Sequence, residues 1–404
     1  MKSENGLLST ADEIAELAKK LQTQEIIAFD TEFIRESTFF PIVEIIQVAT
    51  DTESWLVDAQ AFKKNRRPGD ALSYDPGLTP LLEVFTNRNI LKVVHASQGD
   101  QECLYTSFGV VATPTLDTSV AASLCGYGDG VGLGKLMKDV LGISITKGHA
   151  RTNWSVRPLP QQLIDYAHSD VEHLVTLGKT LLDQLEKAGR KSWALELSAK
   201  WEDQKLYEPD VSGITQKLAR GGRFDSKGYS VLGALVKWRE ERVRQLNLPR
   251  RWVADDHVLV DLARVQPKEI SHLSAFRGLN KGELRNSGEI ILATIKNATQ
   301  EQDVQVPRFV QSPIPTAEEA QILELLRCYV NILADRHRIA AKHLMTTAKL
   351  LPLLRSKSYK AEDLEKSGIL SGEAARLIGD ELIALLSGKR ALLVRNGQVE
   401  IQEM

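Results

Sequence analysis

Residues 29–33 read Phe-Asp-Thr-Glu-Phe inside the apolar segment 25–33, whose β-branched and aromatic content predicts a strand. Alternate residues of a strand share a face, so Asp30 and Glu32 project together while Phe29, Thr31 and Phe33 point the other way. Two carboxylates side by side on an apolar strand repel each other and lose hydration. They need a cation. The chain is thereby committed to a sheet in its first part and to positive charge at that strand.

The surrounding pattern is mixed. Thr10 followed by Glu13 is a capping box opening a helix over 10–21. Segments 42–49 and 54–58 continue the first strand as an antiparallel meander. The loop at 62–77 is basic, with Lys63, Lys64, Arg66 and Arg67. A helix near 79–87 and a strand near 91–95 follow, then a mainly helical stretch to about 206. Its Gly-rich interruption at 126–134 is no phosphate loop, because Lys135 lacks the spacing and the following Ser or Thr. We assign 1–210 to one α/β domain with a mixed sheet, and 211–227, punctuated by glycine, to a linker. Residues 228–300 are helical in pattern. A Pro-rich linker spans 301–316, and a second domain runs over 317–404, helical in pattern over 317–392.

Charge divides along the same line. Residues 1–227 hold 25 Lys and Arg against 31 Asp and Glu, and the remainder holds 26 against 22, for a net charge of −2. An acidic part followed by a mildly basic one suits a metal–carboxylate site joined to a polyanion-binding region. Cys103, Cys125 and Cys328 form neither a zinc spacing nor a disulfide framework. With no signal peptide and no apolar run of the roughly 18–20 residues a bilayer requires, the expectation is a reduced, cytoplasmic protein without a membrane span.

Two more acidic segments complete the constellation. Asp100 opens a helix just after a strand. Tyr166 and Asp170, four apart, share one helix face. Asp30, Glu32, Asp100, Tyr166 and Asp170 together resemble the motifs of the DEDD exonuclease superfamily in its tyrosine-bearing branch. A histidine-branch member would carry His at position 165, which is Asp here. The runs 30–49, with Arg35, Pro41 and Gln47, and 150–174, with Arg151, Trp154, Arg157 and Pro158, are similar to the ribonuclease D subgroup. The resemblance covers most of 24–185. It implies a ribonuclease H-like fold and 3′→5′ exonuclease activity. His168, roughly 200° round the helix from Tyr166, is read as peripheral.

Phosphodiester hydrolysis needs an activated water and stabilisation of the departing 3′ oxygen, which two divalent ions about 3.5–4 Å apart supply. An all-oxygen ligand set selects Mg²⁺ or Mn²⁺ over zinc. On this reading Asp30 bridges both ions. Glu32 and Asp170 hold the ion carrying the attacking water, and Asp100 acts on the second. Tyr166 orients the nucleophile. Thr31, Phe33, Gln47, Gln98, Arg151, Trp154 and Arg157 are the candidate substrate contacts.

The helical part resembles the HRDC domain over 228–298, and 317–392 looks like a more divergent second copy. Lys237, Arg239, Arg242, Arg244, Arg250 and Arg251, with Trp238 and Trp252, form a candidate RNA-facing stripe. The expected substrate is RNA, tRNA precursors with single-stranded 3′ ends above all. A DNA exonuclease of the helicase-associated type and a non-catalytic RNA-binding protein are the alternatives, separable by ribo- and deoxyribo-oligonucleotide substrates. Protein partners are not legible in the sequence.

Overall fold

Thr10 caps the first helix as its sequence predicts. Its hydroxyl accepts the Glu13 N–H, and the Glu13 carboxylate accepts the Thr10 N–H. This and all that follows comes from a computed structural model, which describes residues 6–64, 73–145, 152–222, 224–300, 305–307, 314–356 and 360–404. Residues 65–72 of the 62–77 loop, 301–304 and 308–313 of the 301–316 linker, and Arg151 lie outside the described residues.

The first domain runs β1 (Leu7–Leu8), α1 (Ala11–Leu21), β2 (Ile26–Ile34), β3 (Ile42–Ala49), β4 (Ser54–Asp58), α2 (Thr79–Thr86), β5 (Leu91–Val94), α3 (Gln98–Phe108), β6 (Thr115–Asp117), α4 (Thr118–Leu124), α5 (Leu133–Leu141), α6 (Gln161–Val171), α7 (Leu174–Lys187) and α8 (Lys191–Ser198). The sheet order is β1-β4-β3-β2-β5-β6. The predicted antiparallel meander is present, while β5 and β6 pair in parallel. The sequence reading missed β1 and β6, which at two and three residues are too short to show alternation.

Each face of the sheet has its own core. Phe29, Ile46, Val48 and Val57 pack beneath α1, α2 and α3. On the opposite face Ile45 and Leu56 pack beneath α6, whose Leu163, Ile164 and Ala167 are buried. Farther along that face α7 presses so closely on β5 that a Cβ at Gly178 would lie 2.7 Å from Val93. Only glycine fits there.

The stretch 211–227 is not plain linker. It contains α9 (Val211–Ala219), capped by Asp210 and packed with Ala219 into the core of the next domain. That bundle comprises α10 (Ser226–Leu246), α11 (Arg250–Val253), α12 (Asp256–Val265), α13 (Ile270–Leu273) and α14 (Lys281–Ala298). A second follows: α15 (Ala317–His337), α16 (Ala341–Leu344), α17 (Thr347–Ser356), α18 (Ala361–Lys366) and α19 (Gly372–Leu386). The two repeat one another element by element. Helices α10 and α15 both have 21 residues, α11 and α16 have 4, and α12 and α17 have 10. The first helix of each ends on a left-handed residue, Asn247 and Arg338. The block 317–404 is not helical throughout, however. It closes with the antiparallel hairpin β7 (Arg390–Arg395) and β8 (Gln398–Glu403), turned by Asn396-Gly397 at positive φ. Among the described residues no helix is long and apolar enough to cross a membrane.

The bundles meet the nuclease domain differently. The second shares one continuous apolar core with it, Leu333, Leu344 and Leu382 joining Leu181, Trp193 and Ala194. The first holds the loop after β2. Phe39 N–H and Phe40 N–H donate to the Asn247 carbonyl and side-chain oxygens, and Arg244 and Arg250 lie over the Phe39 ring at 5.7 and 5.0 Å.

The predicted basic stripe on α10 does not face solvent as a unit. Arg239 is 1% exposed and pairs with Glu240 and Asp256. Arg242 grips Glu283 with two nitrogens, and Arg250 does the same to Glu240. Trp238 is core. These cations are neutralised inside the fold because i,i+4 spacing on a long helix also serves packing against its neighbours.

Candidate active site

Asp30 and Glu32 stand on the α6-facing side of β2, opposite Gln47 and Ile45 of β3. The register then slips. Glu32 pairs with Ile45 but Phe33 pairs with Val43, so Glu44 is an extra residue in β3. Such a bulge bends the strand and re-aims its side chains, here just where β2 carries its second carboxylate.

Asp100 comes from the first turn of α3 and is buried. Thr31 joins it to the strand. The Thr31 N–H donates to Asp30 Oδ1 at 2.9 Å and to Asp100 Oδ1 at 3.0 Å, and its hydroxyl donates to Asp100 Oδ1 at 2.5 Å. The start of α3 is fixed from behind by Asp117, the last residue of β6. Its carboxylate accepts the N–H groups of Ala96, Ser97 and Ser119 and the hydroxyls of both serines. Ala96 is held at φ 57°, a left-handed conformation that a non-glycine residue adopts only when its surroundings impose it.

Helix α6 contributes Tyr166 and Asp170 one turn apart, Asp170 buried and Tyr166 half-buried. The Tyr166 phenol donates to Asp170, and its ring stands 6.1 Å from that of Trp154. The structure therefore brings all five predicted catalytic side chains to one place, from β2, α3 and α6.

Their electrostatics follow from crowding in a dry site. Burial, then Asp100, Glu32 and Asp170, raises the Asp30 carboxyl well above the usual carboxylate range. Burial, then Asp170 and Asp100, pushes Glu32 up to about 8. Asp100 and Asp170 are raised by burial to about 6, restrained by hydrogen bonds from Thr31 and Tyr166 respectively. The Tyr166 phenol is raised by burial and then by Asp170 and Glu32, so it keeps its proton. Four carboxyl groups that oppose one another's ionisation fit divalent cations. Beside them, opposite Asp30, Gln47 is fully buried with both amide atoms unpartnered. Among the described residues no three candidate ligands close round an ion by themselves.

The candidate substrate contacts divide. Gln98 is exposed and lines a 610 Å³ cleft with Phe40, Tyr207 and Arg244. Phe33 is half-buried against the α3 side of the core. Thr31 gives its donors to carboxylates and keeps its oxygens as acceptors. Three assignments are corrected. Gln47 has no surface for substrate to touch. Trp154 is 1% exposed and packs under α6 rather than offering a stacking face. Arg157 is a clamp: it grips Asp58 with two nitrogens and donates to the carbonyls of Trp154, Val156 and Glu44. It thus holds the bulge from outside. His168 is peripheral as expected, its Nδ1 2.8 Å from Ser54 Oγ. The reading missed Asp117, although Asp followed by Thr-Ser is a recognisable helix-capping signal.

Comparison with known proteins decides the family. A 3′-5′ exonuclease family model matches residues 7–186 and an HRDC model matches 230–295. Ribonuclease D of Nitrobacter hamburgensis is 30% identical over 394 residues, covering 97% of this chain and 98% of its own. That of Zymomonas mobilis is 31% identical, with 97% of each chain covered. The chain belongs to the ribonuclease D family. It is accordingly a 3′→5′ exoribonuclease that acts on RNA. The crystal structure of Escherichia coli ribonuclease D superposes with a TM-score of 0.74 at 22% identity, over 95% of this chain and 98% of the other, and shows the same fold. Exonucleases of this kind use divalent metal ions, and the carboxylate cluster is where this ribonuclease D would hold them.

Proposed function

We propose that this ribonuclease D trims the single-stranded 3′ ends of folded RNA precursors such as tRNA, hydrolysing the terminal phosphodiester to release nucleoside 5′-monophosphates. The observation that carries the chemistry is the convergence of Asp30, Glu32, Asp100 and Asp170 with raised pKa values. Two Mg²⁺ or Mn²⁺ ions held by these carboxylates would supply positive charge at the attacking and departing oxygens. Water attacks the terminal phosphorus, and the preceding 3′ oxygen leaves and takes up a proton. Asp30 and Glu32 are aimed by the bulged strand, and Asp100 is fixed by Thr31 and Asp117. Tyr166, protonated and donating to Asp170, keeps its phenol oxygen to accept from the attacking water and orient it. It is not the base.

Support for a folded substrate comes from architecture. The second bundle repeats the first helix by helix, and we read it as a second HRDC domain. Two helical modules beside a nuclease that needs only a single strand suggest a body to grip. The Escherichia coli relative is described as an exoribonuclease involved in structured RNA processing.

The test compares a hairpin RNA carrying a single-stranded 3′ tail with the tail alone and with its DNA counterpart, each with and without EDTA. Expected are stepwise shortening from the 3′ end, 5′-mononucleotide products, complete metal dependence and a lower KM for the hairpin. Equal KM for hairpin and tail would remove the folded-substrate reading. Equal kcat/KM on DNA would remove the RNA preference.

A further inference from the structure

We propose that a cation-lined pocket at the seam between the nuclease domain and the second bundle binds the sugar-phosphate backbone of the RNA body. The pocket, of 670 Å³, lies where the C-terminal ends of α4, α7 and α15 converge. Its wall includes Lys187, Arg190, Arg336, His337 and Arg338 and, among the described residues, no carboxylate. The cleft against the first bundle is different: there Arg35 and Arg250 are neutralised by Glu102 and Glu240.

Part of this charge has a local purpose. Helix C-termini carry roughly half a negative charge each and leave carbonyls open. Arg190 answers that need, donating to Leu124 O and His337 O at 2.8 and 2.7 Å. Lys187 is paired with Asp183. Arg336 and Arg338 remain, exposed and with no carboxylate partner among the described residues. The Arg190, Arg336 and Arg338 guanidinium groups carry three positive charges against roughly half a negative charge at each of the three helix ends, so the pocket is net positive. The His337 imidazole is pushed down by burial and then by Arg190, as expected beside such charge. Guanidinium groups in a solvent-open pocket of this size match phosphate oxygens.

The location fits RNA. Helix α7 begins four residues after Asp170 and ends at the pocket, and its 14 residues span about 20 Å. A strand whose 3′ end is at the carboxylates reaches the pocket only through nucleotides well upstream of the scissile bond. Both domains contribute side chains, and their shared core fixes the separation. The inference rests on the reading that the substrate has a folded body.

The experiment uses full-length Arg336→Gln/Arg338→Gln. Both side chains are exposed, so circular dichroism and the melting midpoint should match the wild type. Binding is measured with a metal-blocked hairpin RNA and with its tail alone, from roughly 50 to 200 mM salt. Each lost phosphate contact flattens the slope of log K against log salt by about 0.7–0.9. The hairpin slope should therefore flatten by about 1.5 while the tail slope is unchanged. An unchanged hairpin slope overturns the assignment. Inorganic phosphate is the second probe: phosphate binding lost in the variant while the hairpin slope stays would show a small-anion pocket and also overturn it. If the wild type binds hairpin and tail alike, the folded-substrate reading fails, and the pocket's role fails with it.

Discussion

The Thr31 hydroxyl donates to Asp100 Oδ1 across 2.5 Å, tying the carboxylate strand to the helix that completes the site. A residue that alternates away from Asp30 and Glu32 thus fixes their third partner. Thr31→Val keeps the shape and removes this bond. A hydrogen bond to a charged group contributes about 1.5–3 kcal/mol. The expected outcome is a roughly 10–100-fold lower kcat in limiting Mg²⁺, partly recovered at high Mg²⁺, with KM for short RNA little changed. A raised KM at unchanged kcat would place Thr31 among the substrate contacts instead.

Arg157 gives the opposite expectation to a phosphate contact. Removing one partner of a largely buried, hydrogen-bonded pair costs about 3–5 kcal/mol, and the partial exposure of Arg157 and Asp58 puts this pair nearer 2–3. Arg157→Gln and Asp58→Asn should each lower the denaturation midpoint by a similar amount. The double variant should cost less than their sum. Unchanged stability with a raised KM would contradict the clamp.

The acidic site should cost the metal-free enzyme stability as pH rises. A carboxyl whose pKa is higher folded than unfolded favours folding at low pH, and that advantage is lost as pH passes through the folded value. For Glu32, at about 8 against an ordinary 4.5, the window is about pH 5 to 8. In EDTA, wild-type Tm should fall relative to Glu32→Gln by several degrees across it, and Mn²⁺ at pH 8 should restore the wild type alone. Parallel Tm profiles in EDTA would show that Glu32 is not raised.

Within the first bundle, Arg239 is structural. Arg239→Gln leaves Glu240, itself 1% exposed, with one guanidinium partner fewer in a buried site. The expectation is about 3 kcal/mol of destabilisation. The salt slope of tRNA binding should not change in the folded protein. A flattened slope at wild-type stability would restore the stripe to RNA binding.

The sequence was most informative where chemistry is local. Asp30, Glu32, Tyr166 and Asp170 could be placed because strand and helix periodicities fix which side chains share a face. Asp100 needed only a helix start. The misreadings concern partners far apart in sequence. Nothing near Arg157 announces Asp58, and nothing near Arg239 announces Asp256 through a helix turn. Free and neutralised arginines look alike in a chain. Helix α9 was hidden by Gly213 within it and Gly221 and Gly222 after it; the cost of Gly213 is offset by the Asp210 cap and burial against α10. The closing hairpin carried the Asn-Gly turn signal and alternation in its second strand, Val399 and Ile401 between polar residues, but its first strand, Arg390–Arg395, holds a continuous apolar run that also fits a helix.

Asp30 is the strand carboxylate that burial and then Asp100, Glu32 and Asp170 raise together. Single-turnover hydrolysis of a 3′-hydroxyl RNA by Asp30→Asn, in saturating Mg²⁺ and beside a direct RNA-binding measurement, tests its role. The prediction is loss of at least a hundredfold in rate with RNA affinity kept within a fewfold, since about 2.7 kcal/mol or more of transition-state stabilisation is removed. Retention of more than a few per cent of the wild-type rate would contradict the assignment of this carboxylate cluster as the catalytic centre.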